Sequence, residues 1–62
     1  MKLLKHKEPG MRNLAARRLA RLGAKAEPAL PELRKLAQKD ASEAVRQSAS
    51  DAVTKITGTP AN

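Results

Sequence analysis

Apolar positions along this chain recur at helical spacing. Met11, Leu14, Ala15, Leu19 and Leu22 fall on one stripe and predict a helix over 10–22. Leu30, Leu33, Leu36 and Ala37 form the apolar face of a second helix, over 28–39, opposite Glu32, Lys35, Gln38 and Lys39. Val45, Ala49, Ala52, Val53 and Ile56 mark a third, over 43–57, where Asp51 and Lys55 make a favourable pair one turn apart. A shorter piece over 2–7 sets Leu3 and Leu4 among lysines. It predicts one or two turns, too short to be stable alone. No stretch alternates with period two, so no strand is expected.

Breakers separate these segments. Pro9 disfavours helix at Glu8, and Gly10 is permissive of a turn. Gly23 is a natural stop for the helix before it, with Arg21 and Lys25 placed to suit the negative end of its dipole. Gly23–Glu27 reads as a short connector. Pro28 and Pro31 are tolerable in a first turn, whose N–H groups lack helical partners. Asp40 or Ser42 can cap the last helix, and Asp40 with Glu43 resembles a capping box. The expectation is one all-α domain over 1–57, three helices plus an N-terminal half-helix, with a flexible tail over 58–62.

Composition narrows the function classes. The 62 residues contain no cysteine, no aromatic residue and a single histidine, His6. Disulfides, thiolate metal sites, aromatic cages and base-stacking platforms are excluded. The larger aliphatics, Leu, Ile and Val, number 11, so the composition borders on the disordered class; the 12 alanines tip it toward helix. An ordinary enzyme is not expected, and no cofactor is implied. The apolar runs are two or three residues long, far short of a bilayer span, and no secretory h-region follows Met1, so a soluble, cytoplasmic protein is the expectation.

Charge is unevenly placed. Residues 1–25 hold eight cations and one anion; residues 26–62 hold five of each, so the whole net charge of +7 sits in the first segment. Such asymmetry suits an acidic partner, and it also suits a plain solvated face. Lys2, Lys5, Arg17, Arg18, Arg21 and Lys25 form the candidate basic binding surface. Arg17 and Arg21 lie away from the apolar stripe. Arg18 falls inside it, so its stem is expected to pack along the surface with its head in water.

The chain also repeats itself. Shifted by 34, Met11-Arg12-Asn13-Leu14-Ala15 falls on Val45-Arg46-Gln47-Ser48-Ala49, Leu19 on Val53 and Leu22 on Ile56. A weaker echo places Lys2-Leu3-Leu4 on Lys35-Leu36-Ala37 at a shift of 33. A period in this range with helix–turn–helix content signals stacked helical repeats. The run Met11–Gly23, then Ala29-Leu30-Pro31-Glu32-Leu33, then Asp40 and Val45-Arg46, resembles HEAT-like repeats, in particular the short bacterial phycobilisome-lyase type.

The resemblance covers nearly everything from Leu3 to Ile56. It implies an α-solenoid fragment in which Met11–Leu22 and Val45–Ile56 are outer, convex-side helices. Pro28–Lys39 is then an inner helix and Met1–Lys7 the tail of another. Arg18 stands where these repeats usually carry alanine, and Ser48 and Ser50 polarise the third helix. About three repeats are normally needed to bury a core, so a chain with fewer than two is expected to continue into a longer solenoid or to self-associate.

Arg12 and Arg46 occupy equivalent positions near helix starts. A structural role is expected for both, for example a bond from Arg46 to Asp40. His6 has no identifiable nucleophile or second ligand nearby, and Ser42, Ser48, Ser50 and Asp51 lack a nucleophile-elbow pattern, so no triad or metal site is expected. The expected function is non-catalytic protein–protein interaction or scaffolding, with a protein partner or a second copy as ligand. The alternative is sequence-independent nucleic-acid binding through the basic residues of 2–25, reading phosphates only. Neither a membrane nor a small-molecule substrate is indicated.

Overall fold

The computed structural model describes residues 2–58. The chain begins with a 3-10 turn, Lys2–Lys5, followed by helix α1, Pro9–Leu22. A 3-10 stretch, Gly23–Ala29, leads directly into α2, Leu30–Lys39, and a short turn delivers α3, Glu43–Thr57. No strand occurs among the described residues. The tail expected over 58–62 lies outside them, apart from Gly58.

Three boundaries differ from the sequence reading, the smallest at α1, which begins at Pro9, one residue before the predicted 10–22. The N-terminal piece winds as 3-10 and ends at Lys5, short of Lys7. The connector after Gly23 is itself helical, and α2 starts at Leu30. Gly23 sits at φ 57, ψ −135, a backbone region open to glycine, so it breaks α1 sharply. Ala24 and Ala26 keep the following residues coiled, and Pro28 takes part in that coil.

The caps are local and specific. Ser42 is the N-cap of α3: its hydroxyl accepts a hydrogen bond from the Val45 amide at 3.4 Å. Gly58 closes the same helix in the left-handed region, φ 75, with its amide donating to the Thr54 carbonyl at 2.7 Å. Glu8 precedes α1 in extended conformation, as the residue before a proline should be.

Helix α3 packs against both α1 and α2. The core they share is small in volume: Ala15, Ala16, Ala49 and Ala52 are all fully buried, together with Leu19, Leu33, Val53 and Ile56. Alanine at the contacts lets helices approach closely. Leu4, 1% exposed, reaches in from the N-terminal turn and Ala26 from the 3-10 stretch. The stripe of α3 is buried in full. That of α2 is graded, with Leu33 buried and Leu30, Leu36 and Ala37 half-buried against the core.

The stripe of α1 is split. Ala15, Ala16 and Leu19 go inward, whereas Leu14 is 37% and Leu22 53% exposed. Leu14 and Leu22 thus share the apolar stripe of α1 without sharing its burial. The neighbours of α1 cover its Ala15–Ala16–Leu19 side and leave the line through Leu14 and Leu22 in solvent.

Candidate functional site

Arg12 ties three segments together. Its Nε donates to Asp40 Oδ2 at 2.7 Å and its Nη2 to Asp40 Oδ1 at 3.0 Å, a two-pronged ion pair. Its Nη1 donates to the main-chain carbonyls of His6 at 2.6 Å and Lys7 at 2.8 Å. One guanidinium thus joins the segment before α1, α1 itself and the turn before α3. Arg12's hydrogen bond holds the Asp40 carboxyl below its ordinary pKa; partial burial opposes this, while the Ser42 amide and the charges of Arg12 and Arg46 add to it.

The turn at Asp40 and the turn at His6 are built alike. Asp40 Oδ1 accepts from the Ser42 amide at 2.9 Å, and His6 Nδ1 accepts from the Glu8 amide at 3.1 Å. Arg46 Nη1 donates to the Asp40 carbonyl at 2.6 Å, as Arg12 Nη1 donates to the His6 carbonyl six residues back. The bond expected between Arg46 and Asp40 therefore goes to the main chain, because Arg12 occupies the carboxylate. The repeat shift of 34 sets His6 on Asp40 and Glu8 on Ser42. That signal locates His6 as a turn-former, a role that looking for nucleophiles and metal ligands around it does not reveal.

The described members of the candidate basic set border different grooves. Arg17, Arg18 and Arg21 are exposed and line a groove with Leu14 on the outer side of α1. Arg17 and Arg21 also border a groove of about 290 Å³ between α1 and α3, which Asp51 and Lys55 close from the far side. Lys25 lies by the end of α1, lining a hollow with Leu22, Ala26 and Pro28. Lys5 stands toward α2, 3.8 Å from Glu32, with its side chain 69% exposed. Lys2 begins the first turn, and its side chain lies outside the described residues.

Among the described residues no group of three or more His, Cys, Asp or Glu stands together as metal ligands would. No described helix is long and apolar enough to cross a membrane. The grooves are shallow and bordered by arginines, lysines and small apolar residues, an arrangement that can hold a surface and neutralise acidic groups.

Two helices whose sequences match at a shift of 34, a third helix between them along the chain and a brace recurring in register define a stacked helical-repeat protein. The chain belongs to the HEAT repeat family: the family model described as HEAT repeats matches residues 1–60. HEAT repeats generally mediate protein interactions, and the family is typically non-catalytic. No curated protein and no solved structure matches the chain.

Proposed function

We propose that this chain is a non-catalytic protein-interaction module, a scaffold segment of the short phycobilisome-lyase type of HEAT-like repeat, working in the cytoplasm. The observation that carries this reading is the outer side of α1, where exposed Leu14 and Leu22 lie with Arg17, Arg18 and Arg21. Apolar area beside charge suits a protein surface, since burial of the leucines adds to the electrostatic attraction. Arg17, Arg18, Arg21 and Lys25 are then the partner-facing cations. Arg12, Asp40 and Arg46 serve the repeat itself, and Lys5 is engaged with Glu32.

Sequence-independent nucleic-acid binding is the second reading, favoured by three arginines bordering one groove. A phosphate backbone would leave Leu14 and Leu22 in water, which weighs for the protein partner. The test is affinity capture by the tagged chain with and without nuclease. Protein partners retained after nuclease support the interaction reading; retention only of nucleic acid, lost on nuclease treatment, overturns it.

A further inference from the structure

Helix α3 turns the line Ser48–Ala52–Ile56 into the molecule. The Ser48 hydroxyl bonds to the Asn13 side chain of α1, Ala52 is 0% exposed and Ile56 is 6% exposed. One repeat earlier the same line reads Leu14–Arg18–Leu22. On α1 that line faces solvent, with Leu14 and Leu22 the exposed large hydrophobic residues and Arg18 exposed between them. The face that α3 uses to join a neighbouring helix is therefore present on α1 with no described helix against it.

We infer that this face of α1 docks an acidic amphipathic helix, lying along α1 as α1 lies along α3. Two features select such a partner. Arg18 stands where α3 has Ala52, so a helix approaching this line meets a guanidinium at its centre and needs a carboxylate there. Arg17 and Arg21 flank it; Pro9–Leu22 contains no acidic residue, and Asp51 of α3, in the groove that Arg17 and Arg21 border, stands beside Lys55. Leucines on the partner cover Leu14 and Leu22, and glutamates or aspartates on its flanks pair with the arginines.

A second copy of the chain is a poorer fit. The far face of α3, which corresponds to the α3-facing side of α1, carries Ser50 and Thr54 where α1 has Ala16 and Ala20, while Asp51 borders the groove between α3 and α1. Thr54 turns its hydroxyl onto the Ser50 carbonyl at 3.1 Å. That face is polar and offers nothing apolar at these positions to cover two leucines.

The inference rests on the protein-interaction reading and narrows it to one face and one partner chemistry. The test uses the full chain and a labelled helical peptide with leucines at helical spacing and glutamates on both flanks, followed by anisotropy at physiological salt. Saturable binding is expected, about tenfold weaker for the peptide with glutamine in place of glutamate, and lost for Arg18→Glu or for Leu14→Ser with Leu22→Ser. Arg34→Glu, on α2, should bind as the parent does, and circular dichroism establishes that each variant is folded. Arg18→Ala serves as a second variant, since alanine is the residue at the equivalent position of α3.

Absent binding, equal binding of the glutamine peptide, or full binding by folded Arg18→Glu overturns the inference. So does a dimer in sedimentation equilibrium that Leu14→Ser with Leu22→Ser dissociates, which assigns the face to a second copy. Displacement of the peptide by duplex DNA at physiological salt, lost in Arg18→Glu, assigns it to phosphate. Nuclease-resistant partners captured equally by parent and Arg18→Glu would sink this inference while leaving the interaction reading standing.

Discussion

Arg12 and Asp40, 28 residues apart, form a two-pronged ion pair in which the Asp40 side chain is only 4% exposed. The same guanidinium holds the His6 and Lys7 carbonyls, so one side chain joins the segment before α1 to the turn before α3. Lysine cannot reproduce a fork with a third prong. Arg12→Lys should therefore lower stability by about 1.5–3 kcal/mol, read as a lower urea midpoint with an unchanged slope. The whole chain is expected to have only about 3–9 kcal/mol of stability, so the loss should be plainly visible.

Acid should act through the same pair. Asp40's native pKa lies below its unfolded value. Its contribution is fully present above the ordinary aspartate range, near pH ~4, and is lost as pH falls through the depressed native value. Asp40→Asn removes that carboxylate. The variant should be less stable at neutral pH, and its unfolding midpoint should change less than the parent's between about pH 5 and the acid limb. Parallel pH profiles would contradict this.

Glycine substitutions should separate by backbone alone. A methyl group at Gly10 or Gly23 meets nothing within 4 Å. Gly10 lies in the first turn of α1, whereas Gly23 has φ 57. Gly10→Ala should raise stability by about 0.4–1 kcal/mol through the unfolded chain. Gly23→Ala should lower it by about 1–3 kcal/mol through strain. Thermal melts of the two variants should move in opposite directions.

Leu33 is the fully buried leucine of α2. In a core otherwise rich in alanine it supplies much of the volume between the helices. Leu33→Ala should cost about 2–5 kcal/mol, enough to unfold a large share of the molecules at room temperature. Circular dichroism should show a fall in helicity that Leu14→Ala, at an exposed position, does not cause.

How far the sequence reaches follows from what each residue depends on. Helix α3 was legible because every member of its stripe has a neighbour on one side or the other, and all five are buried. On α1 the helical wheel places Leu14 and Leu22 with Leu19, but burial depends on which helices surround it, and periodicity carries no such information. The full burial of Ala16 is not legible in the pattern, because alanine suits a surface and a tight contact equally. The expected bond from Arg46 to Asp40 forms, on the main-chain carbonyl, whereas the Asp40 carboxylate is held by Arg12, which stacking brings from 28 residues away and which spacing along the chain does not reveal. The charge count found Arg17, Arg18 and Arg21, but only the fold separates them from Lys5, which stands toward α2 beside Glu32.

The most direct test of the basic face as a protein-binding surface is a paired anisotropy titration at physiological salt, with labelled duplex DNA in one arm and the glutamate-flanked helical peptide in the other. Saturable binding of the peptide, with DNA binding confined to low salt, is the predicted result. DNA binding that persists at physiological salt, with a salt slope showing several phosphates neutralised and no binding of the peptide, would contradict it.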